Sequence, residues 1–248
     1  MYSQFSEVYD SLMGDVNYTA RTNYLKTLFL KFDKMPTLML DLACGTGGFS
    51  NEFSKSQVQV IGVDMSPEML SAARENSAKM GTDVLYLCQK ANELDLYGTV
   101  DGAICCLDSL NHITDVNELS EAFSKVSLFL EKDRLFIFDL NTVYKHKTVL
   151  GDNTFVFEEN GVFCVWDNSF DENTNTVAIN LDFFEETDDG KYNRFSDYIE
   201  EKAYKDEEII KLLEDNGFKV EALYDDLSEN PPNDNSERII YVARKVAD

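Results

Sequence analysis

Between Thr37 and Val143 short apolar runs alternate with amphipathic stretches, and this alternation limits the fold more than any other feature of the chain. Thr37 to Leu42, Val58 to Val63, Val84 to Cys88, Val100 to Leu107 and Leu135 to Leu140 carry few polar residues, as strands covered on both faces do. The pattern predicts βαβ units around a parallel sheet. Phe49 to Ser54 reads as a short helix. Ser66 followed by Pro67 reads as a helix start, a side-chain cap before a residue whose missing N–H costs nothing there. Val116, Leu119, Phe123, Val126 and Leu130 recur at helical spacing, so Asp115 to Glu131 should lay one face on the sheet.

After Leu150 the period changes. Phe155 to Phe157, Val162 to Trp166, Val177 to Phe183 and Tyr192 to Tyr198 are separated by Asn160-Gly161, Asp171-Glu172-Asn173 and Asp189-Gly190, which suit turns. An antiparallel meander is expected here, inserted into the α/β domain. A last helix around Ile209 to Leu213, closed by Gly217, then precedes two more strands, Val220 to Tyr224 and Ile239 to Val242.

Composition removes several function classes. The formal charge of -24 repels phosphate backbones and leaves no basic stripe for nucleic acid. No apolar run approaches the roughly 20 residues needed to cross a bilayer, and Met1 to Asp10 lack a basic flank and apolar core. The five cysteines form no C-x-x-C pair and lie in or beside apolar runs, where a thiol acts as a small hydrophobe. A cytoplasmic protein is expected, with a small-molecule partner, no nucleic acid, no membrane and no metal. The oligomeric state stays open.

The stretch Leu40-Asp41-Leu42-Ala43-Cys44-Gly45-Thr46-Gly47-Gly48 crowds small residues between a strand and a helix, where a ligand can approach exposed N–H groups without meeting Cβ atoms. Alone, it fits a plain strand-to-helix turn equally well. A second signal decides: the apolar run ending in Val63-Asp64 places a carboxylate about 20 positions further on, where related folds bind ribose hydroxyls. The third glycine of a nicotinamide fingerprint is missing.

Asp41 before the turn and Gly45-Thr46-Gly47 closing it resemble the first motif of class I S-adenosylmethionine-dependent methyltransferases, commonly D-L-G-C-G-T-G, with Ala43 for the first glycine. The resemblance spans nearly the whole chain. It implies an α/β, Rossmann-like doubly wound, mostly parallel seven-stranded sheet with the antiparallel meander inserted. Residues 1–36 would form a helical lid, 37–150 and 205–248 the cofactor-binding core, and 151–204 an insertion over the acceptor side. S-adenosyl-L-methionine would be the cofactor and S-adenosyl-L-homocysteine the product. Asp41, Ala43, Gly45 and Gly47 would hold the amino acid end, Asp64 the ribose, Met65 the adenine face, and Ala91 and Asn92 the adenine edge. Tyr2 to Tyr18 and Leu107-Asp108-Ser109-Leu110-Asn111-His112 are further similar to a small-molecule subgroup that includes aminosugar N,N-dimethyltransferases and glycine N-methyltransferase. Three positions depart from those relatives: Lys90 where an acidic residue is usual, Asp133-Arg134 for a glycine pair, and Ile199 for a histidine.

Methyl transfer from a sulfonium needs alignment and exclusion of water more than it needs a metal. His112 lies where the crevice rule puts the ligand and titrates in a useful range, or it is a capping histidine. Tyr9 and Tyr18 either touch the cofactor and reacting centre or pack an amphipathic helix. Asp108, straight after the apolar strand that ends in Leu107, is a candidate for the cofactor or acceptor pocket, because a carboxylate there is costly to bury without a partner, and Leu107 belongs to the same candidate site. Trp166 and Tyr204 fit core packing first and acceptor binding second. Adjacent Cys105 and Cys106 face opposite ways in a buried strand and suit no nucleophilic role. A small-molecule methyltransferase acting on an amine or hydroxyl is the leading reading. A nucleic-acid methyltransferase, a non-catalytic cofactor-binding protein and a nicotinamide-dependent oxidoreductase are the rivals.

Overall fold

The five apolar runs form strands β1 (Leu38–Leu42), β2 (Gln59–Asp64), β3 (Val84–Cys88), β4 (Gly102–Cys105) and β5 (Leu135–Asn141) of the computed structural model, which describes residues 16–159, 161–187 and 189–247. They pair in parallel in the order β5-β4-β1-β2-β3. β11 (Arg238–Lys245) adds antiparallel to β5, and β10 (Phe218–Asp225) antiparallel to β11, which completes seven strands. Strand order reverses between β1 and β4, so the crevice beyond their carboxyl ends is where an open sheet of this kind binds ligands.

Helices cover both faces. Alternate residues of β1 supply opposite cores: Leu40 and Leu42 join Phe123 of α4 (Val116–Phe129) and Ile209 and Leu213 of α5 (Asp206–Asp215), whereas Met39 joins Leu25, Leu28 and Phe29 of α1 (Tyr18–Phe32) and Phe53 of α2 (Gly48–Ser54). The helix α3 (Pro67–Met80) starts as its residues predict, with the Ser66 hydroxyl accepting from the Met69 N–H and Pro67 in the first turn. Burying both faces makes the central strands almost wholly apolar.

A second, antiparallel sheet consists of β6 (Thr154–Glu159), β7 (Val162–Asp171), β8 (Thr176–Glu186) and β9 (Tyr192–Lys202). Val177, Ile179, Leu181 and Phe183 of β8 bury one face together with Met69 of α3. The strands β7, β8 and β9 outrun their apolar centres because polar flanks pair as well: Asp167 to Asp171 of β7 pair along β8 from Asn180 to Thr176, and Glu200 to Lys202 of β9 pair with Ala178 to Thr176. The Asn111 side chain donates to the Lys202 carbonyl at 2.8 Å and so ties the end of β9 to the core.

Two local features differ from the sequence expectation. The fourth strand stops at Cys105, because Leu107 and Asp108 adopt φ of 58° and 52° and turn the chain into a 3-10 segment, Ser109–His112. Lys145–Leu150 forms a π-helical turn that no periodicity announces. Helix α5 ends at Asp215 and, as its sequence predicts, Gly217 closes it just past the Asn216 cap, at φ 81°. Asp133, standing where relatives have glycine, keeps a left-handed φ of 64°.

Phe138 stacks between Phe136 and Tyr241, with ring centroids 4.8 Å apart on each side. Phe138→Ala should therefore destabilise the chain by about 3–5 kcal/mol. Urea unfolding reads this as a lower midpoint with an unchanged slope.

Candidate active site

The buried strand β1 delivers Asp41 to the edge of the crevice, 1% exposed, and the following turn alternates left-handed residues: Ala43 at φ 55°, Gly45 at 53° and Gly47 at 81°. The glycines serve different ends. A Cβ at Gly45 would meet nothing within 4 Å, so its backbone lies bare to an incoming group. At Gly47 a Cβ would meet the Tyr86 hydroxyl at 2.3 Å, and at Gly48 the Tyr18 ring at 2.3 Å. These two positions admit tyrosines. Tyr18, Asp41, Ala43, Gly45 and Leu107 share the wall of a cavity of about 30 Å³.

Asp64, at the end of β2, accepts the Gly45 N–H and the Ser66 N–H, each at 2.9 Å. Asp41 accepts from the Ser50 hydroxyl at 2.5 Å. Burial pushes the Asp41 carboxyl up to about 7 against the pull of that hydroxyl, and the Asp64 charge adds to the rise. Asp64 is raised too, chiefly by burial, while its two backbone donors oppose the shift. Beside them Met65 is 58% exposed, an apolar flank open to a planar ring. Ala91 and Asn92 begin the 3-10 turn Ala91–Glu93, and the Asn92 amide donates to Glu121 at 3.2 Å. Lys90 turns to Glu93, 4.0 Å away at the surface.

Beyond β4 the chain is held by a buried ion cluster. The Leu107 and Asp108 N–H groups donate to Asp139 at 2.8 and 2.7 Å. Arg238, the first residue of β11, donates to Asp139 and pairs with Asp108 at 2.7 Å. Burial opposes ionisation of Asp108, yet Arg238, Lys145 and His112 hold its carboxyl well below the usual range. The two carboxylates likewise outweigh burial at Arg238 and hold its guanidinium charged. Arg238 lines a polar cavity of about 400 Å³ with Arg21, Lys145, Asp225, Ser236 and Glu237. Arg21 sits one turn of α1 beyond Tyr18, so this helix borders both cavities.

His112 ends the 3-10 segment with its side chain 37% exposed and its Nε2 3.8 Å from Glu201 Oε1. His146 is fully buried and reaches the other oxygen of Glu201 at 2.9 Å. Asn141 links the two regions: its amide nitrogen donates to Asp108 at 2.8 Å and to Glu201 at 3.3 Å, and its oxygen accepts from Lys145 at 3.0 Å.

The chain as a whole is similar to known proteins. The family described as "Methyltransferase domain" matches residues 39–133, from β1 to the turn before β5. YqeM of Bacillus subtilis (strain 168), whose name is that of a methyltransferase, is 28% identical over 246 residues, 99% of this chain and 97% of that one. The crystal structure of an S-adenosylmethionine-dependent methyltransferase from Clostridium acetobutylicum superposes with a TM-score of 0.90 at 32% identity, covering 99% of both chains. This chain belongs to the S-adenosylmethionine-dependent methyltransferases. It is an enzyme, and S-adenosylmethionine is its cofactor. CalS10, an amino pentose methyltransferase from Micromonospora echinaspora, shares the fold with a TM-score of 0.78 at 16% identity over 99% of this chain and 98% of that one.

The residues present fit the methyltransferase cofactor: bare backbone at Gly45, two carboxylates for its cationic and sugar parts, and the exposed Met65 thioether. Of the residues singled out in the sequence, Tyr18, Asp41, Ala43, Gly45 and Leu107 meet around one cavity, and Asp64 is bonded to its rim. Gly47 faces Tyr86 instead, Asp108 turns to Arg238, and Tyr9 lies outside the described residues. Tyr204 is core, its hydroxyl bonded to the Ile113 carbonyl, and burial pushes the Cys105 and Cys106 thiols up, away from thiolate chemistry. Arg238, Glu201, His146 and Lys145 were not anticipated. A charged residue at the mouth of the apolar run Ile239 to Val242 was the one available sign, and it pointed to Arg238.

Asp41 makes a test with a definite sign. Its folded carboxyl is harder to ionise than the unfolded one, so its contribution to stability is full near pH 4 and is lost as pH rises through about 7. In the ligand-free protein, Asp41→Asn should remove roughly 2–4 kcal/mol of that decline, taken as an upper bound. Urea unfolding across this window checks it; parallel pH profiles for the two proteins would refute the assignment.

Proposed function

We propose that this methyltransferase acts on a small polar molecule bearing an amine, seated in the cavity lined by Arg21, Lys145 and Arg238, with His112 taking up the proton that the amine gives up. The observation that carries the reading is the cavity itself. Its volume of about 400 Å³ suits a small molecule. Its wall joins the cofactor side through the Leu107-Asp108 link, since Leu107 borders the smaller cavity and Asp108 is paired with Arg238 of the larger one.

Charge favours an amine over an anionic acceptor. Arg21 is neutralised by two bonds to Asp226, at 2.9 and 2.8 Å, and Arg238 by Asp108 and Asp139. Asp225 and Glu237 form no ion pair among the described residues, and Lys145 offsets one of them. A net negative wall attracts a protonated amine and disfavours a phosphate backbone.

When bound, S-adenosylmethionine would supply a methyl group activated by sulfonium sulfur, which would keep the carbon–sulfur electron pair as the acceptor nitrogen's lone pair takes the methyl. The chain's own residues would do the rest. Asp41, Gly45 and Asp64 would orient the cofactor, and Met65, Ala91 and Asn92 would border its base. Tyr18 and α1 close over both cavities and limit water. His112, partly exposed at the crevice edge, receives the proton, which lets the nitrogen present its lone pair. The antiparallel insertion would cover this acceptor side.

Release of S-adenosylhomocysteine measured with D-glucosamine, simple amino acids and their hydroxyl analogues should show turnover with amines. His112→Asn should lower kcat by about 10²-fold or more while leaving S-adenosylhomocysteine affinity unchanged. Turnover confined to hydroxyl compounds or to nucleic acid, or full activity in the His112 variant, would reject the proposal.

A further inference from the structure

The chain has two histidines, and both meet the same carboxylate. We infer that Glu201, anchored by a proton it shares with His146, is a positioning residue that sets the tautomer of His112, with hydrogen on Nε2 and the lone pair on Nδ1. This rests on the reading above that His112 receives the acceptor's proton.

The argument is a count of donors and acceptors. His146 Nδ1 lies 3.0 Å from the Thr142 carbonyl, which can only accept, so Nδ1 carries hydrogen. Its Nε2 lies 2.9 Å from Glu201 Oε2, with the imidazole 0% and the carboxylate 6% exposed. A neutral imidazole with hydrogen on Nδ1 would point a lone pair at a carboxylate lone pair, with no water to intervene. A proton must lie between them.

The second partner of Oε2 is fixed independently. Lys145 can only donate, so the Asn141 atom it meets at 3.0 Å is the amide oxygen. The Asn141 amide nitrogen therefore faces Glu201 Oε2 at 3.3 Å. Oε2 is engaged twice, by the shared proton and by Asn141, and its partner Oε1 is the atom that faces His112 Nε2 at 3.8 Å. A shift of under 1 Å closes that gap to a hydrogen bond. The ring nitrogen facing a carboxylate oxygen is the one that keeps hydrogen. His112 Nδ1 has no hydrogen bond among the described residues and is left as the basic atom. Backbone contacts hold the frame, since Asn111 bonds both the Asn141 backbone and the Lys202 carbonyl beside Glu201.

Nitrogen NMR of the full chain labelled with ¹⁵N-histidine tests the assignment without any methyl acceptor. His112→Asn leaves one imidazole and so identifies His146. At neutral pH His146 should show hydrogen on both nitrogens, and His112 in its uncharged form should be the Nε2–H tautomer. In Glu201→Gln the amide nitrogen can donate to His146 Nε2, so that resonance should move to the unprotonated range, while the amide oxygen left facing His112 Nε2 still accepts and keeps the Nε2–H tautomer; in Glu201→Ala that preference should be lost. Bound S-adenosylhomocysteine and an unchanged thermal midpoint would show that the variant is folded. Should Glu201→Gln fail to fold, the wild-type spectrum still decides: an unprotonated His146 Nε2, or an Nδ1–H tautomer at His112, overturns the inference. Full methyl transfer in His112→Asn would fail the reading of His112 as proton acceptor, whereas these spectra judge Glu201 alone.

Discussion

The active edge of this methyltransferase depends on one buried cation, Arg238, clamped between Asp108 and Asp139. Because β11 runs antiparallel beside β5, its first residue lies opposite the last residue of β5, Asn141, at the edge where the parallel strands end. Reversing a strand thus brings a guanidinium to the carboxyl side of the sheet. Asp139 uses the same carboxylate to accept the Leu107 and Asp108 N–H groups. Two consecutive left-handed residues without glycine cost on the order of 1–3 kcal/mol each, and such a turn persists only where its surroundings over-determine it. Here three strands supply those surroundings. The turn in turn aims Ser109–His112 over the crevice, so the position of His112 is a consequence of where Arg238 sits.

Glycine in the first turn has two explanations that sequence spacing does not separate. Gly45 leaves open backbone, whereas Gly47 and Gly48 make way for Tyr86 and Tyr18 of the protein itself. Gly62, in β2, also yields to the Tyr86 ring, at 2.8 Å from where a Cβ would stand. Tyr86 therefore braces the cofactor turn from the β3 side, and its hydroxyl, 3.0 Å from that of Ser77, ties the turn to α3. Rigid backbone at the turn is what lets the uncrowded main chain at Gly45 and two carboxylates stand as a preformed cradle.

Legibility follows range. The strands, the helix capped by Ser66 and the meander were readable because each is written in local periodicity or in one capping residue. Asp41, Ala43, Gly45 and Asp64 were readable because strand, turn and strand fix them over some 20 positions. Glu201 meets His146 across 55 positions, and Arg238 meets Asp139 across 99. No periodicity encodes such a pairing. A carboxylate at Asp108 signalled a need for a partner without naming it. Ile199, where the resembling family has histidine, and Glu201, two residues later, share one face of β9.

The carboxylates of the site divide into two kinds, and the division matches their chemistry. Asp108 and Asp139 share a guanidinium that never leaves, so both are paired within the chain whatever is bound. Asp41 and Asp64 form no ion pair with any lysine or arginine among the described residues, and burial makes both reluctant to ionise. A buried anion without a cation is unfavourable until one arrives. On the reading proposed above, in which Asp41 would hold the amino acid end of the cofactor and Asp64 its ribose, the cation that arrives is the cofactor's own.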